Sequence, residues 1–369
     1  GGGGAGGALG SIHAAVGYRC APPKLQTTTL FAPQRPGHRR FGACRIPLAG
    51  ATASGLQSAG STPSGKEIMQ AIMRYLLFWL VRLGLRPMLS PRVPARLQRI
   101  WIDLTGYILR APKGLKLQRR PVAEVPTVLV DQACIEPGRA VLYLHGGGYV
   151  VGSAKSHARM AGWLGRALRA RVWLPEYRCA PEHACPAALQ DALAVYRELT
   201  GAGQDASGLI LAGDSAGGGL ALATAVAIRD AGLPLPAALL LFSPWVDLSL
   251  SGNSLQVNAA RDAMLSASWL RWCAHRYRGA APATDSRCSP LFADLAGLPP
   301  LLIHVGSEEI LRDDGERLAQ NARAAGVDVS LQCYRGVGHV FQCFAGMLPE
   351  ADDSIRAAGE FARQKLARG

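Results

Sequence analysis

The chain has 369 residues, 49% hydrophobic and 18% charged, with 40 Lys+Arg against 26 Asp+Glu and a formal charge of +14. That length can bury a large core, and the low charged fraction with a mildly positive mean hydropathy excludes a disordered chain. No apolar run reaches the roughly 18 residues of a membrane-spanning helix, so the chain reads as a globular, soluble protein.

The positive charge does not mark a nucleic-acid partner. Only six of the 40 cations are Lys, and the arginine excess accompanies abundant Ala, Gly and Pro, as a GC-rich coding sequence would produce. No stripe of basic and aromatic residues goes with it. Residues 1–68 carry seven cations and one anion, a net +6, which leaves +8 for the rest. The nine Cys (20, 44, 134, 179, 185, 273, 288, 333, 343) show neither CxxC pairs nor metal spacing. They are expected as reduced, mostly buried thiols, which points to a cytoplasmic location.

Along the chain, residues 1–68 hold 14 Gly without sustained periodicity and are expected to be a disordered tail, or vector or upstream sequence. From Met69 an apolar stretch, Tyr75 to Val81, is punctuated by Arg74, Arg82 and Arg86 near one helix face. An amphipathic helix packed on the protein's own body is the favoured reading. Contact with a membrane surface through residues 69–90 stays open.

Strands are predicted at 126–131, 140–144, 171–174, 208–212, 238–242, 300–305 and 328–334. Helices are predicted at 156–169, 186–199, 216–231, 313–325 and 349–367. Their alternation implies an α/β fold with a mostly parallel sheet covered by helices on both faces. The segment 244–298 breaks the rhythm and suggests a helical insertion over one end of the sheet.

Two glycine clusters stand at strand ends. Gly213-Asp214-Ser215-Ala216-Gly217 lies between a strand and an Ala/Leu helix, the pattern of a nucleophile elbow that thrusts Ser215 outward. At that helix start the Ala216 N–H is free to receive developing negative charge. The other cluster, His145-Gly146-Gly147-Gly148-Tyr149, can bring the N–H groups of Gly146 and Gly147 to the same oxygen. A base and an orienting acid should follow in the order Ser, acid, His. His275 falls in the insertion and His304 inside an apolar strand, so His339, in a loop past the last strand, is the base by position. For the acid, Glu308 and Glu309 come right after a strand, and spacing alone does not choose between them; Asp313 and Asp314 open a helix.

These residues resemble the hormone-sensitive-lipase branch of the α/β-hydrolases, the bacterial family IV carboxylesterases. The likeness covers roughly residues 70–368. It rests on HGGGY at 145–149, EYRCAPEHACPAALQDALAVY at 176–196, GDSAGG at 213–218, SPWVDLS at 243–249 and AGVDVSLQCYRGVGHVF at 325–341. The resemblance implies Ser215 as nucleophile, His339 as base, and Gly146, Gly147 and Ala216 as oxyanion donors. Where the family commonly reads Asp-Pro-Leu-Arg-Asp-Glu with the first Asp catalytic, this chain reads Glu309-Ile310-Leu311-Arg312-Asp313-Asp314. The acid so implied is Glu309, with Glu308 or Asp313 as stand-ins. His145 is expected to order the oxyanion loop, and Asp214 and Glu182 to be structural.

The resemblance further implies a hydrolase domain over 69–369, with a cap from about 69–110 and 245–285. Tyr149, Trp79, Trp101, Trp269 and Phe341 become candidates for the pocket wall. Expected are hydrolysis of short to medium acyl esters, a small-molecule ester as the partner, and no metal or organic cofactor; a homodimer stays open. A deacetylase, an amidase or a lactone hydrolase would use the same machinery. A chymotrypsin-like protease is excluded by chain order, since that class places His and Asp before Ser. A receptor-like relative without turnover, as in the plant gibberellin receptors that lost the histidine, is disfavoured by His339.

Overall fold

A computed structural model describes Gly1 and residues 65–366. The expected tail lies outside the described residues except for Gly1 and 65–68, and so do Cys20 and Cys44. The first helix, α1, spans Gly65–Leu80 and so begins four residues ahead of Met69. A π-helical turn, Val81–Leu85, leads on to α2 (Ala95–Gly106).

The body then runs β1 (Lys116–Arg119), β2 (Thr127–Asp131), β3 (Ala140–Leu144), α3 (Ala154–Leu168), β4 (Arg171–Pro175), α4 (Ala187–Gly201), β5 (Leu209–Asp214), α5 (Ala216–Asp230) and β6 (Ala238–Phe242). After the short α6 (Ser254–Val257) and α7 (Ala267–Arg278) come β7 (Leu301–Gly306), α8 (Arg312–Ala324), β8 (Val329–Tyr334) and α9 (Pro349–Leu366). All of these elements belong to one compact unit, Thr62–Gly369.

The eight strands form a single sheet in the order β1-β2-β4-β3-β5-β6-β7-β8. Six are parallel; β2 runs antiparallel to β4 and to β1. Buried strands alternate their side chains between two cores. Leu142, Leu211, Leu241 and Ile303 pack with α4, α5 and α8, while Tyr143, Ile210, Leu240 and Leu302 pack with α3 and α9. Strand β1, not predicted, is exposed at every residue, because Lys-Leu-Gln-Arg caps the sheet edge without a buried face.

An arginine fastens α2 to the body. Arg99 on α2 donates to the Val150 and Ala180 carbonyls, both at 2.8 Å, and pairs with Glu182 at 2.6 Å. Trp269 Nε1 on α7 donates to Gln98 Oε1 at 2.8 Å, joining α7 to α2.

Candidate active site

The site grows from the carboxyl ends of β3, β5 and β7. At the end of β5 the chain turns into α5 at Ser215, whose φ of 52° is left-handed. So sharp a reversal leaves no room for side chains beside it. A Cβ at Gly213 would lie 2.3 Å from the Gly217 oxygen, and one at Gly217 would lie 2.0 Å from the Leu144 oxygen. Ser215 Oγ stands 2.9 Å from His339 Nε2, and His339 Nδ1 stands 2.6 Å from Glu309 Oε2. A carboxylate only accepts, so the proton belongs on Nδ1, leaving Nε2 to accept from the serine hydroxyl.

The other Glu309 oxygen, Oε1, accepts the Gly306 N–H at 2.8 Å. Glu308 instead accepts from the Ser307 hydroxyl and faces Arg261. Asp313 accepts the Ser254 N–H, and Asp314 those of Val246 and Asp247, so both brace the insertion. Of the four acids considered from sequence, Glu309 alone reaches His339.

His304 is buried with Nδ1 2.8 Å from the Ser354 hydroxyl, and His275 is exposed on α7. Burial pulls the His339 pKa down. The hydrogen bond and charge of Glu309, aided by Asp262 and Asp214, outweigh it and leave the imidazole above the ordinary histidine value. A base must be neutral to accept a proton, so the acid limb of kcat/KM is expected above pH 6.5, the ordinary value. Glu309→Gln should move that limb down and cut kcat roughly 10²- to 10⁴-fold, since the neutral amide no longer enforces the tautomer. Glu308→Ala should leave both nearly unchanged. A pH–rate profile of the two variants checks this, and the larger loss at 308 would reverse the assignment.

The oxyanion loop departs from expectation at one position. The Gly146 N–H already donates to Asp214 Oδ1 at 3.0 Å, so it is not free to serve a substrate oxygen. The same carboxylate accepts from Tyr143 Oη at 2.7 Å and lies 3.4 Å from His157 Nε2. Among the described residues, the N–H groups of Gly147, Gly148 and Ala216 have no protein acceptor. His145 keeps Nδ1 2.9 Å from the Gly146 oxygen and stacks on Tyr177. Burial, with His157 close by, pushes its pKa down to about 3, so it stays neutral in the loop.

One cavity reaches the serine, and two others share walls with it. One of about 110 Å³ is lined by Ser215, Gly147, His157, Trp269 and His339. A second, about 190 Å³, includes Trp101, and a third, about 430 Å³, includes Phe341 and His339. Two wall candidates are corrected. Tyr149 lines none of the three; its left-handed φ of 62° turns the ring inward, stacked 3.6 Å from Tyr277. Trp79 also lines none of them and is 41% exposed on the outside of α1. Cys179, Cys185 and the five other described cysteines are free thiols.

Sequence reading missed the residues that hold the acid in place. Asn258 Nδ2 donates to the Ser307 and Glu309 carbonyls, and Asp262 Oδ2 accepts the Ile310 N–H at 2.9 Å. The Asp262 carbonyl in turn accepts from Arg82, at 2.9 Å, and from Arg86, both beside α1. Ser243 Oγ accepts the Val340 N–H at 3.1 Å and fixes the loop just after His339. Neither Asn258 nor Asp262 sits in a recognisable motif, and the insertion shows no period from which to place them.

A model of the α/β-hydrolase fold matches residues 141–343, and the chain belongs to that family, in its hormone-sensitive-lipase-like branch. It is a carboxylic ester hydrolase. The chain is 44% identical over 234 residues to an acetyl-hydrolase of Streptomyces hygroscopicus, covering 63% of this chain and 78% of that one. It is 32% identical over 302 residues to a putative acetyl-hydrolase, LipR, of Mycobacterium tuberculosis, covering 82% and 95%. The crystal structure of an esterase from the bacterial hormone-sensitive lipase family superposes with a TM-score of 0.77 at 37% identity, covering 80% of this chain and 98% of that one. Among the described residues, no helix is long and apolar enough to cross a membrane.

Proposed function

We propose that the protein is a serine carboxylesterase for short to medium acyl esters, working through a Ser215–His339–Glu309 triad and an acyl-enzyme. The observation that carries this is the unbroken chain of contacts, 2.9 Å and 2.6 Å, ending at a buried Ser215 that lines a small cavity. His339 Nε2 takes the hydroxyl proton as Ser215 Oγ attacks the ester carbonyl carbon. The oxygen, now anionic, is received by the N–H groups of Gly147, Gly148 and Ala216. On collapse the carbon–oxygen bond to the alcohol breaks, and His339 returns the proton to the leaving oxygen. Water, deprotonated by His339, then releases the acid and restores the serine.

The cavity of about 110 Å³ at Ser215 supports the short end of the acyl range, as do two relatives named acetyl-hydrolases. The same reading makes residues 69–369 the hydrolase domain, capped by 69–110 and 245–285. A p-nitrophenyl ester series from acetate to palmitate tests it. The highest kcat/KM is expected from acetate to butyrate. No turnover at any length would sink the esterase reading, and a maximum at palmitate would sink the chain-length part.

A further inference from the structure

Two rows of large apolar side chains on the cap face away from the body. On α1 and the turn after it, Ile72, Tyr75, Leu76, Trp79, Leu80 and Leu83 recur at helical spacing, and each is exposed. On α2 and the turn after it, Leu97, Ile100, Trp101, Leu104 and Ile108 form a similar exposed row. Such stripes are ordinarily the buried face of a helix, and none of the described residues covers these. Between the rows lies the cavity of about 190 Å³. Leu80, Trp101 and Ile108 line it, and its Met264 and Cys343 walls are shared with the Ser215 cavity.

The surroundings are cationic. Residues 69–110 hold seven Arg and a single acid, Asp103. Arg92 and Arg96 are exposed and form no ion pair among the described residues. Arg96 stands four residues before Ile100, at the edge of the α2 row.

We propose that this face of the cap docks the enzyme on an anionic lipid surface, from which apolar esters enter the site through the cavity between α1 and α2. The inference rests on the serine-esterase reading above. An ester that partitions into lipid is scarce in water, and an enzyme seated on the lipid meets it where it is concentrated. The apolar rows would sink into the acyl boundary, and the arginines at their edge would meet anionic headgroups. A second copy or a protein partner would equally cover the rows. Neither accounts for a substrate cavity that opens between the rows or for the cationic edge.

The test is flotation of the full chain with phosphatidylcholine vesicles, with and without phosphatidylglycerol, alongside p-nitrophenyl acetate turnover in solution. Association is expected with the phosphatidylglycerol vesicles and should weaken in high salt. The triple variant Leu76→Glu/Leu83→Glu/Leu104→Glu should lose it by roughly tenfold or more while keeping turnover, because none of the three residues lines a cavity. Arg92→Gln/Arg96→Gln leaves the apolar rows intact and should weaken association with anionic vesicles alone. It decides the matter if the triple variant fails to fold. No association of the wild type, association undiminished in either variant, or a stable dimer dissolved by the triple variant without vesicle binding would each overturn the proposal. Absence of p-nitrophenyl acetate turnover in the wild type would sink the esterase reading separately, whichever way the vesicles fall.

Discussion

Replacing Ser215 by alanine is expected to remove ester turnover, a fall in kcat on the order of 10⁴- to 10⁶-fold, with the fold intact. In the proposed mechanism the hydroxyl is the attacking atom, and its side-chain hydrogen bond is to His339. Alanine keeps the backbone bonds that hold the elbow, from the Ser215 N–H to the Phe242 oxygen at 2.9 Å and from the Trp245 N–H to the Ser215 oxygen at 2.8 Å. What remains is the oxyanion N–H groups and the cavity, which bind ester but form no covalent intermediate. Turnover of p-nitrophenyl acetate by the variant, measured beside its thermal melt, reads both halves. Wild-type kcat in a folded Ser215→Ala protein would mean that another nucleophile operates.

Gly217→Ala should be the most damaging of the small substitutions near the site, costing about 4 kcal/mol or more of stability. The new methyl would meet the Leu144 oxygen at 2.0 Å and the His145 oxygen at 2.4 Å. Both are backbone atoms at the end of β3, where the oxyanion loop begins, and neither can swing aside as a side-chain tip could. Relief requires α5 to move away from β3, which would shift Ser215 and Gly147 apart and lower activity in whatever protein folds. Gly201→Ala, at the end of α4, is the control. A Cβ there meets nothing within 4 Å, and the helix should gain up to about 1 kcal/mol. Denaturant midpoints of the two variants should move in opposite directions, and equal midpoints would contradict this account of the elbow.

Much of the body was readable because its strands are buried on both faces. Runs such as Ala-Val-Leu-Tyr-Leu and Ala-Leu-Leu-Leu-Phe have no polar alternation, and β3 and β6 occupy the predicted 140–144 and 238–242. Strand β1 escaped because an edge strand exposed throughout carries no hydrophobic signature. At the site, legibility followed locality. The elbow is a contiguous string, and its glycines announce the steric demand that the structure then displays.

The loop donors were half legible. Gly146 and Gly147 were both expected as donors from the HGGG string, but a carboxylate at the end of β5 engages the first glycine N–H. Such a contact joins residues 68 positions apart and leaves no local trace. Glu308 and Glu309 could not be separated by spacing. Their side chains diverge to Ser307 and to His339, and only the likeness to relatives favoured the second.

Two tethers meet at Asp262: its carbonyl oxygen accepts from Arg82 and Arg86 of the N-terminal segment, while its carboxylate accepts the N–H of Ile310, next to Glu309. The seating of the N-terminal segment and the setting of Glu309 against His339 therefore converge on one residue, a single pin shared by two joints.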